Sequence, residues 1–197
     1  MERKTYGNKR VITRDKILSA AAALFAEKGI AMSSAKEIAN LAGISVGLMY
    51  HYYKTKEEVF GELVKISLEE LKELKAMVDE YNCPLTALNE LAEEIILGLS
   101  TSYEFSQWSR ILSHPLPAKH DPEWAAMLLS YHVQFVEQMA SLVVKGQKAG
   151  KFKEGNPAML AQALIALVDG LCGLQLALKD KFVIPSADII TALIIKE

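Results

Sequence analysis

Apolar residues recur along this chain at intervals of three and four, not two, and helix start and stop signals punctuate it throughout. A first helix is expected to open at Thr13 as N-cap, carry Ile17, Leu18, Ala21, Leu24 and Phe25 as its apolar stripe, and stop at Gly29. Ser34 and Glu37 stand at capping-box spacing and open a second, short helix that Gly43 ends. A third runs from Ser45 to about Tyr53. Thr55 and Glu58 form a further capping box for a long fourth helix, which keeps a helical period through Val59, Phe60, Leu63, Leu68 and Leu71 towards Val78.

Pro84 suits the first position of a fifth helix bearing Leu88, Leu91, Ile95 and Leu99, and "SYEFSQWSRIL" reads as a short sixth. "SHPLPAKHDPE", with Pro115, Pro117 and Pro122, must be a loop; Asp121 and Pro122 form a cap-plus-proline start for a seventh helix that Gly150 closes. Asn156-Pro157 repeats the device for an eighth helix, and a ninth follows Pro185. The expected fold is therefore all-α, without internal repeats or strands.

The third helix, "SVGLMYHYY", places Tyr50, His51, Tyr52 and Tyr53 in a row. At about 100° per residue these rings fan over roughly 300°, so they cannot share one core. With Val46 at zero, Met49 falls at about 300° and Tyr53 at about 340°, facing inward; Tyr50 and Tyr52 flank that face, and Gly47, Leu48 and His51 point away from it. An outward face of glycine and leucine between polar-tipped rings calls for a partner, and nucleic acid fits. Tyrosine hydroxyls, imidazole and lysine donate to phosphate oxygens, while a small residue allows close approach to a groove. Two short helices about the tight turn at Gly43 make a helix-turn-helix, whose second member enters the major groove. An αα-corner with a surface tyrosine cluster is the alternative.

Charge supports the first reading. The net charge of −2 over 197 residues hides a split: residues 1–56 carry 10 Lys+Arg against 4 Asp+Glu, and the remainder 12 against 20. A basic front on an acidic body restricts any polyanion contact to the front.

The stretch "TRDKILSAAAALFAEKGIAMSSAKEIANLAGISVGLMYHYYKTKEEVF", Thr13 to Phe60, resembles the DNA-binding region of the tetracycline-repressor (TetR) family of bacterial transcription regulators. Phe25, Gly29, "SSAKEIANLAG", Ser45, Gly47, Tyr50, Tyr53, Lys56 and Glu57 stand in that family's places. "GQKAGKFKEGNPAMLAQALIALVDGL" is similar to the stretch leading into its dimerisation helix. The resemblance implies a DNA-binding domain at 1–56 and a helical ligand-binding and dimerisation domain at 57–197. It implies that Ser34, Tyr50, His51, Tyr52 and Lys56 hold phosphates and that Val46, Gly47 and Leu48, following Ser45, touch bases. Val46 and Leu48 are more apolar than many relatives carry there, so base reading is expected to lean on thymine methyls or DNA shape. Arg14, Lys9 and Arg10 are further candidates for phosphate or minor-groove contact, with a solvated basic tail as the alternative.

"AMLAQALIALVDGLCGLQLAL" has apolar or small residues on nearly every face and should be buried on both sides. A homodimer through the last two helices, "SADIITALIIKE" being the ninth, would cover the second side. Between front and dimer helices lie Tyr103, Phe105, Trp108, Trp124, Tyr131, His132, Phe135 and Met139. The resemblance implies a cavity there for a small, largely apolar effector, with Trp108, Tyr131 and Phe135 as lining; a solid aromatic core is the alternative. In the family's mechanism, ligand favours a state in which the fourth helix has shifted and the recognition helices no longer match a palindromic operator.

Other chemistry is not expected. Gly43-Ile44-Ser45-Val46-Gly47 satisfies G-x-S-x-G, but a nucleophile elbow needs a preceding strand and "EIANLA" is helical. His114, His120, Asp121, Glu123 and His132 lack tight metal-ligand spacing. Cys83 and Cys172 read as small apolar residues in a reducing compartment. No phosphate loop, catalytic constellation or cofactor motif is found. The basic start lacks the apolar stretch of a signal peptide, and no run is expected to reach the roughly 20 apolar residues of a membrane span. The expectation is a cytoplasmic, non-enzymatic protein without cofactor or membrane contact.

Overall fold

The computed structural model describes residues 2–81, 83–113 and 122–196. Among them the elements are α1 (Glu2–Met32), α2 (Ala35–Leu41), α3 (Val46–Tyr52), α4 (Lys56–Glu80), α5 (Pro84–Thr101), α6 (Glu104–Ser113), α7 (Pro122–Lys148), α8 (Pro157–Leu178) and α9 (Ala187–Thr191). An isolated antiparallel bridge joins Phe152 to Ile195. Contacts divide the chain into two compact units, the first ending at Ile66 and the second beginning at Ser67.

In the first unit α1 begins at Glu2, well before the expected Thr13. The preceding residues hold no proline, and Gly7 costs a helix only about 1 kcal/mol, so Thr13 does not act as a start. Gly29 does interrupt the helix, with φ 79° and ψ 159°, and Ser33 Oγ donates to its carbonyl at 2.9 Å. Of the expected stripe, Ile17, Leu18, Ala21 and Phe25 are buried with Ile38, Ala39, Met49, Val59, Phe60 and Leu63, and Leu24 is half-buried. The α2 helix packs against both α1 and α3. At the head of α4, Glu58 N donates to Thr55 Oγ1 at 3.1 Å, but the Glu58 carboxylate accepts from Lys54 N at 2.7 Å; the anticipated box is thus closed one residue early.

In the second unit α8 packs against α6 and α7, and α5 against α7 and α9. Leu88, Leu99, Leu142, Phe152, Leu164 and Ile190 share the core. Pro84 and Pro157 occupy helix starts as expected, and Asn156 Oδ1 accepts from Ala158 N at 2.9 Å. The α7 helix starts at Pro122; its proposed cap Asp121, the prolines at 115 and 117, and His114 and His120 lie outside the described residues.

Three expectations need correction. The ninth helix is shorter than "SADIITALIIKE" suggested, with only five residues, and Ile190 and Ile194 are buried in its own unit. The eighth leaves Met159, Leu174 and Leu178 exposed, on the side for which the sequence expectation called for a partner copy. Residues Pro157–Lys181 are long and apolar enough to cross a membrane, contrary to the sequence expectation. That segment nevertheless keeps polar side chains tied into its own bundle: Ser106 Oγ donates to Gln175 Oε1 at 2.5 Å, and Gln175 Nε2 to the Leu99 carbonyl at 2.5 Å. Finally, Cys172 is buried but Cys83 is exposed, so only the former acts as a small core residue.

Gly146 shows how closely this unit is packed. A Cβ there would run into the ring of Phe152, itself 1% exposed. Replacing a helical glycine by alanine normally stabilises by up to about 1 kcal/mol; overpacking costs about 1–3 kcal/mol. Gly146→Ala should therefore lower the thermal unfolding midpoint by several degrees in calorimetry, whereas a rise would show that Phe152 yields freely.

Candidate nucleic-acid interface and ligand cavity

The α3 helix is only seven residues long and is held by its ends and one face. Ser45 Oγ accepts from Leu48 N at 3.1 Å, and Tyr53 N donates to the Met49 carbonyl at 2.9 Å. Met49 is wholly buried and Tyr53 is 6% exposed. Burial, and then the negative charge of Glu62, push the Tyr53 phenol up to about 12. Gly47, Leu48, Tyr50 and His51 are exposed, while Val46 and Tyr52 are half-buried. The His51 and Tyr52 rings meet edge to face, with centroids 5.8 Å apart. Six of the nine residues expected at DNA thus lie in one stretch on the outward side and flanks of α3, with Ser45 at its head.

The remaining two, Ser34 and Lys56, have structural duties. Ser34 caps α2: its hydroxyl accepts from Glu37 N at 3.3 Å and donates to Glu37 Oε2 at 2.7 Å. Lys28 binds the other carboxylate oxygen at 2.5 Å. Lys56 Nζ donates to the carbonyls of Ala31 at 3.1 Å and Ser33 at 2.8 Å, bracing the turn into α2. Arg14, a sequence candidate for phosphate, is instead engaged with Glu62, its Nε donating at 3.0 Å. Arg10 is exposed, and the side chain of Lys9 lies outside the described residues. The G-x-S-x-G stretch follows helix α2, as its sequence context indicated, and Gly43 turns with φ 68°.

Within the second unit a cavity of about 230 Å³ is walled by α4 through α8. Trp108, Tyr131 and Phe135, the three residues singled out from sequence, all line it, whereas Tyr103 and Trp124 do not. The Tyr131 and Phe135 rings are 5.9 Å apart. Sequence reading missed the cavity's polar groups, chiefly Glu70 and Asp169. A signal existed for one of them: Asp169 is the single charge in the apolar run Ala158–Leu178. Ser109 Oγ donates to Asp169 Oδ1 at 2.6 Å. Burial, then the charges of Asp169 and Glu70, raise the Tyr131 pKa, and burial followed by Glu73 raises that of Glu70. Among the described residues no metal-binding group of three or more ligands is present.

The bond from Lys28, then that from Ser34, holds the Glu37 carboxyl down to about 2, against its ordinary 4.5. A depressed carboxylate adds stability above the unfolded value, and this is lost as pH falls through the folded one. A carbon-detected NMR titration should therefore place the Glu37 midpoint near 2, with stability falling between about 4.5 and 2. A midpoint near 4.5 would mean that the Lys28 and Ser34 bonds are not made in solution.

Known proteins show the same two-part organisation. Residues 17–63 match the family profile "Bacterial regulatory proteins, tetR family", and residues 106–191 match "BetI-type transcriptional repressor, C-terminal". The chain is 26% identical over 161 residues to the HTH-type transcriptional regulator UidR of Escherichia coli, covering 81% of this chain and 79% of that one. It is 28% identical over 180 residues to the HTH-type transcriptional regulator TtgR of Pseudomonas putida, covering 85% and 82%. Its fold is that of NalD, the secondary repressor of the MexAB-OprM multidrug efflux pump in Pseudomonas aeruginosa, with a TM-score of 0.69 at 23% identity over 96% of this chain and 99% of that one. With one profile on the helix-turn-helix and the other on the cavity-bearing unit, the chain belongs to the tetracycline-repressor (TetR) family of bacterial regulators.

Proposed function

We propose that this chain is a homodimeric transcriptional repressor whose α3 helices enter successive major grooves of a palindromic operator and whose cavity takes a small effector that releases it. One observation carries the reading: α3 buries Met49 and leaves Gly47, Leu48, Tyr50 and His51 facing out beside a helix-turn-helix turn. Family members bind DNA operators and act as dimers with small-molecule effectors.

In this reading Tyr50, His51 and Tyr52 donate to phosphates from the flanks of α3, and Ser45, whose oxygen already accepts from Leu48 N, donates with its own O–H. Val46, Gly47 and Leu48 meet base edges; with no polar fork among them, they favour thymine methyls and groove shape. Lys56 keeps one of its three N–H groups for a phosphate after bracing the α2 turn. Ser34 contributes through the α2 cap it forms and can reach a phosphate only by giving up its bond to Glu37. The domain division follows the same logic, with DNA binding in the residues up to the start of α4 and ligand binding beyond it.

Dimerisation is assigned to α8. Its exposed face carries Gln162, Ala163, Ala166, Gly170 and Leu174 at spacings of three and four, a surface on which the same helix of a second copy can lie closely. With α9 only five residues long, α8 carries most of that contact. A two-fold pair would set the recognition helices about 34–36 Å apart.

Effector response runs through α4. Its Ser67, Glu70 and Leu74 line the cavity, and Lys145 of α7 grips its end, donating to the Val78 carbonyl at 3.2 Å and to Asp79 at 2.9 Å. A ligand that binds more tightly with α4 displaced shifts the population away from the DNA-competent state.

The test is fluorescence anisotropy on duplexes of varied sequence and salt. Tyr50→Phe should remove one phosphate hydrogen bond per chain, worth about 0.5–1.5 kcal/mol, and so weaken a dimer roughly 5- to 150-fold on every sequence. Leu48→Ala should leave binding to random DNA unchanged and alter the ranking of operator variants. Sequence-blind losses for Leu48→Ala would remove it from base reading, and unchanged affinity for Tyr50→Phe would remove Tyr50 from the phosphate set.

A further inference from the structure

Beside the Arg14–Glu62 pair of the first unit lies a polar group with nothing to do. The Tyr53 hydroxyl oxygen is buried, and among the described residues it has no hydrogen-bond partner. Arg14 and Glu62 stand close enough to act on its ionisation, yet neither meets it at bonding geometry. Buried hydroxyls are nearly always satisfied, because one left unpaired has lost its water and received nothing in return. A group so placed calls for a second arrangement in which it is used.

The same three residues, with Arg10, Val11 and Tyr52, line an open cleft of about 370 Å³. Arg10 is exposed and enters no ion pair among the described residues. Two guanidiniums and one carboxylate leave the cleft with one net positive charge, which a singly charged phosphodiester matches. Tyr52 belongs both to this cleft and to the flank of α3 assigned above to DNA.

The pair that holds Arg14 is a weak one. Its side chains are 39% and 33% exposed, and ion pairs this open to water add little to stability. Both bonds from Arg14, Nε at 3.0 Å and Nη2, go to the single oxygen Oε1 of Glu62, so the two-oxygen fork that makes such pairs strong is not formed. Its Nη1 lies 3.9 Å from Asp15 Oδ1, beyond hydrogen-bond range.

Resting on the DNA-binding reading above, we propose that Arg14 is a phosphate ligand held in reserve: as a duplex docks, a backbone phosphate enters the cleft and takes Arg14 together with Arg10, while Glu62 turns to accept a hydrogen bond from the Tyr53 hydroxyl. Before the exchange there is one guanidinium–carboxylate contact and one orphaned donor. After it there is a guanidinium–phosphate contact and a charge-assisted bond from Tyr53 to Glu62, with no donor left over. The phenol, pushed up to about 12, keeps the proton this bond needs. Tyr53 touches no DNA; it is a positioning residue that holds the Glu62 charge away from the phosphate it would otherwise repel.

The experiment is fluorescence anisotropy of the full-length chain on random-sequence duplex over a salt series between about 50 and 200 mM, with calorimetry of each variant. Arg14→Gln should make the slope of log affinity against log salt shallower by about one per chain, because one counterion fewer is released. Tyr53→Phe should weaken DNA binding at least about fivefold while the unfolding midpoint stays or rises, since the orphaned hydroxyl is gone. A group that only held the fold would lose stability and affinity together. In the Glu62→Ala background, where no carboxylate has to be placed, Tyr53→Phe should cost less than about twofold. An unchanged salt slope for Arg14→Gln, full affinity for Tyr53→Phe, or the same Tyr53→Phe loss with and without Glu62 overturns the proposal, and the Tyr53→Phe comparison decides even if Arg14→Gln fails to fold. Any of these in a wild-type background that binds duplex leaves the repressor reading standing, whereas wild-type protein that ignores duplex sinks both.

Discussion

The first unit depends on a single burial. A seven-residue helix has no stability of its own in water, because nucleation costs more than so few hydrogen bonds return. The α3 helix exists because Met49 and Tyr53 are drawn into the core with Ile17, Phe25, Ile38 and Leu63; each such side chain contributes about 1.5–3 kcal/mol on burial. That contact fixes the rotation of the helix as well as its existence. Once Met49 points in, Gly47, Leu48 and His51 must point out, and the outward face of α3 is a geometric consequence of the core.

The same constraint explains how the polar residues are used. Lysines, arginines and serines near a recognition helix invite assignment to phosphates, yet several are occupied in holding the frame. Lys56 braces the turn into α2, Ser34 caps that helix, and Arg14 pairs with Glu62. In the second unit Gln175 spends both ends of its amide on Ser106 and the Leu99 carbonyl, which keeps a very apolar helix in register within its bundle. By contrast, the carboxylates of Glu70 and Asp169, which line the cavity, form no salt bridge among the described residues.

Much of this was legible in the sequence because its signals are local. The caps at Ser34, Ser45 and Asn156, the prolines at 84, 122 and 157, and the stripe from Ile17 to Phe25 each act within one helical turn, and the helices follow them. The start of α1 was misplaced because Thr13 has cap chemistry but no break before it. The brevity of α9 was hidden because "SADIITALIIKE" has helical composition, while Ile194 and Ile195 are taken up by the core and by the bridge to Phe152. The exposed side of α8 was inferred, but its membrane-like hydropathy was underrated because Gln162, Asp169 and Gln175 interrupt the run without lowering its mean below the span range. In the candidate site, a cavity was expected from the family resemblance, and the residues alone left a solid aromatic core open. The pairing of Asp169 with Ser109 and the approach of Glu70 were not legible, since they join residues 60 and more positions apart on different helices.

The central claim, that the outward face of α3 is laid against duplex DNA, is tested most directly at Gly47. Nothing lies within 4 Å of a Cβ placed there, so the folded chain has room for a side chain that a closely docked groove does not. Gly47→Glu, measured by calorimetry and by binding to random-sequence duplex at low ionic strength, should leave the unfolding midpoint within a few degrees and lower DNA affinity by roughly a hundredfold or more on every sequence. Unchanged stability together with unchanged DNA affinity would contradict the account.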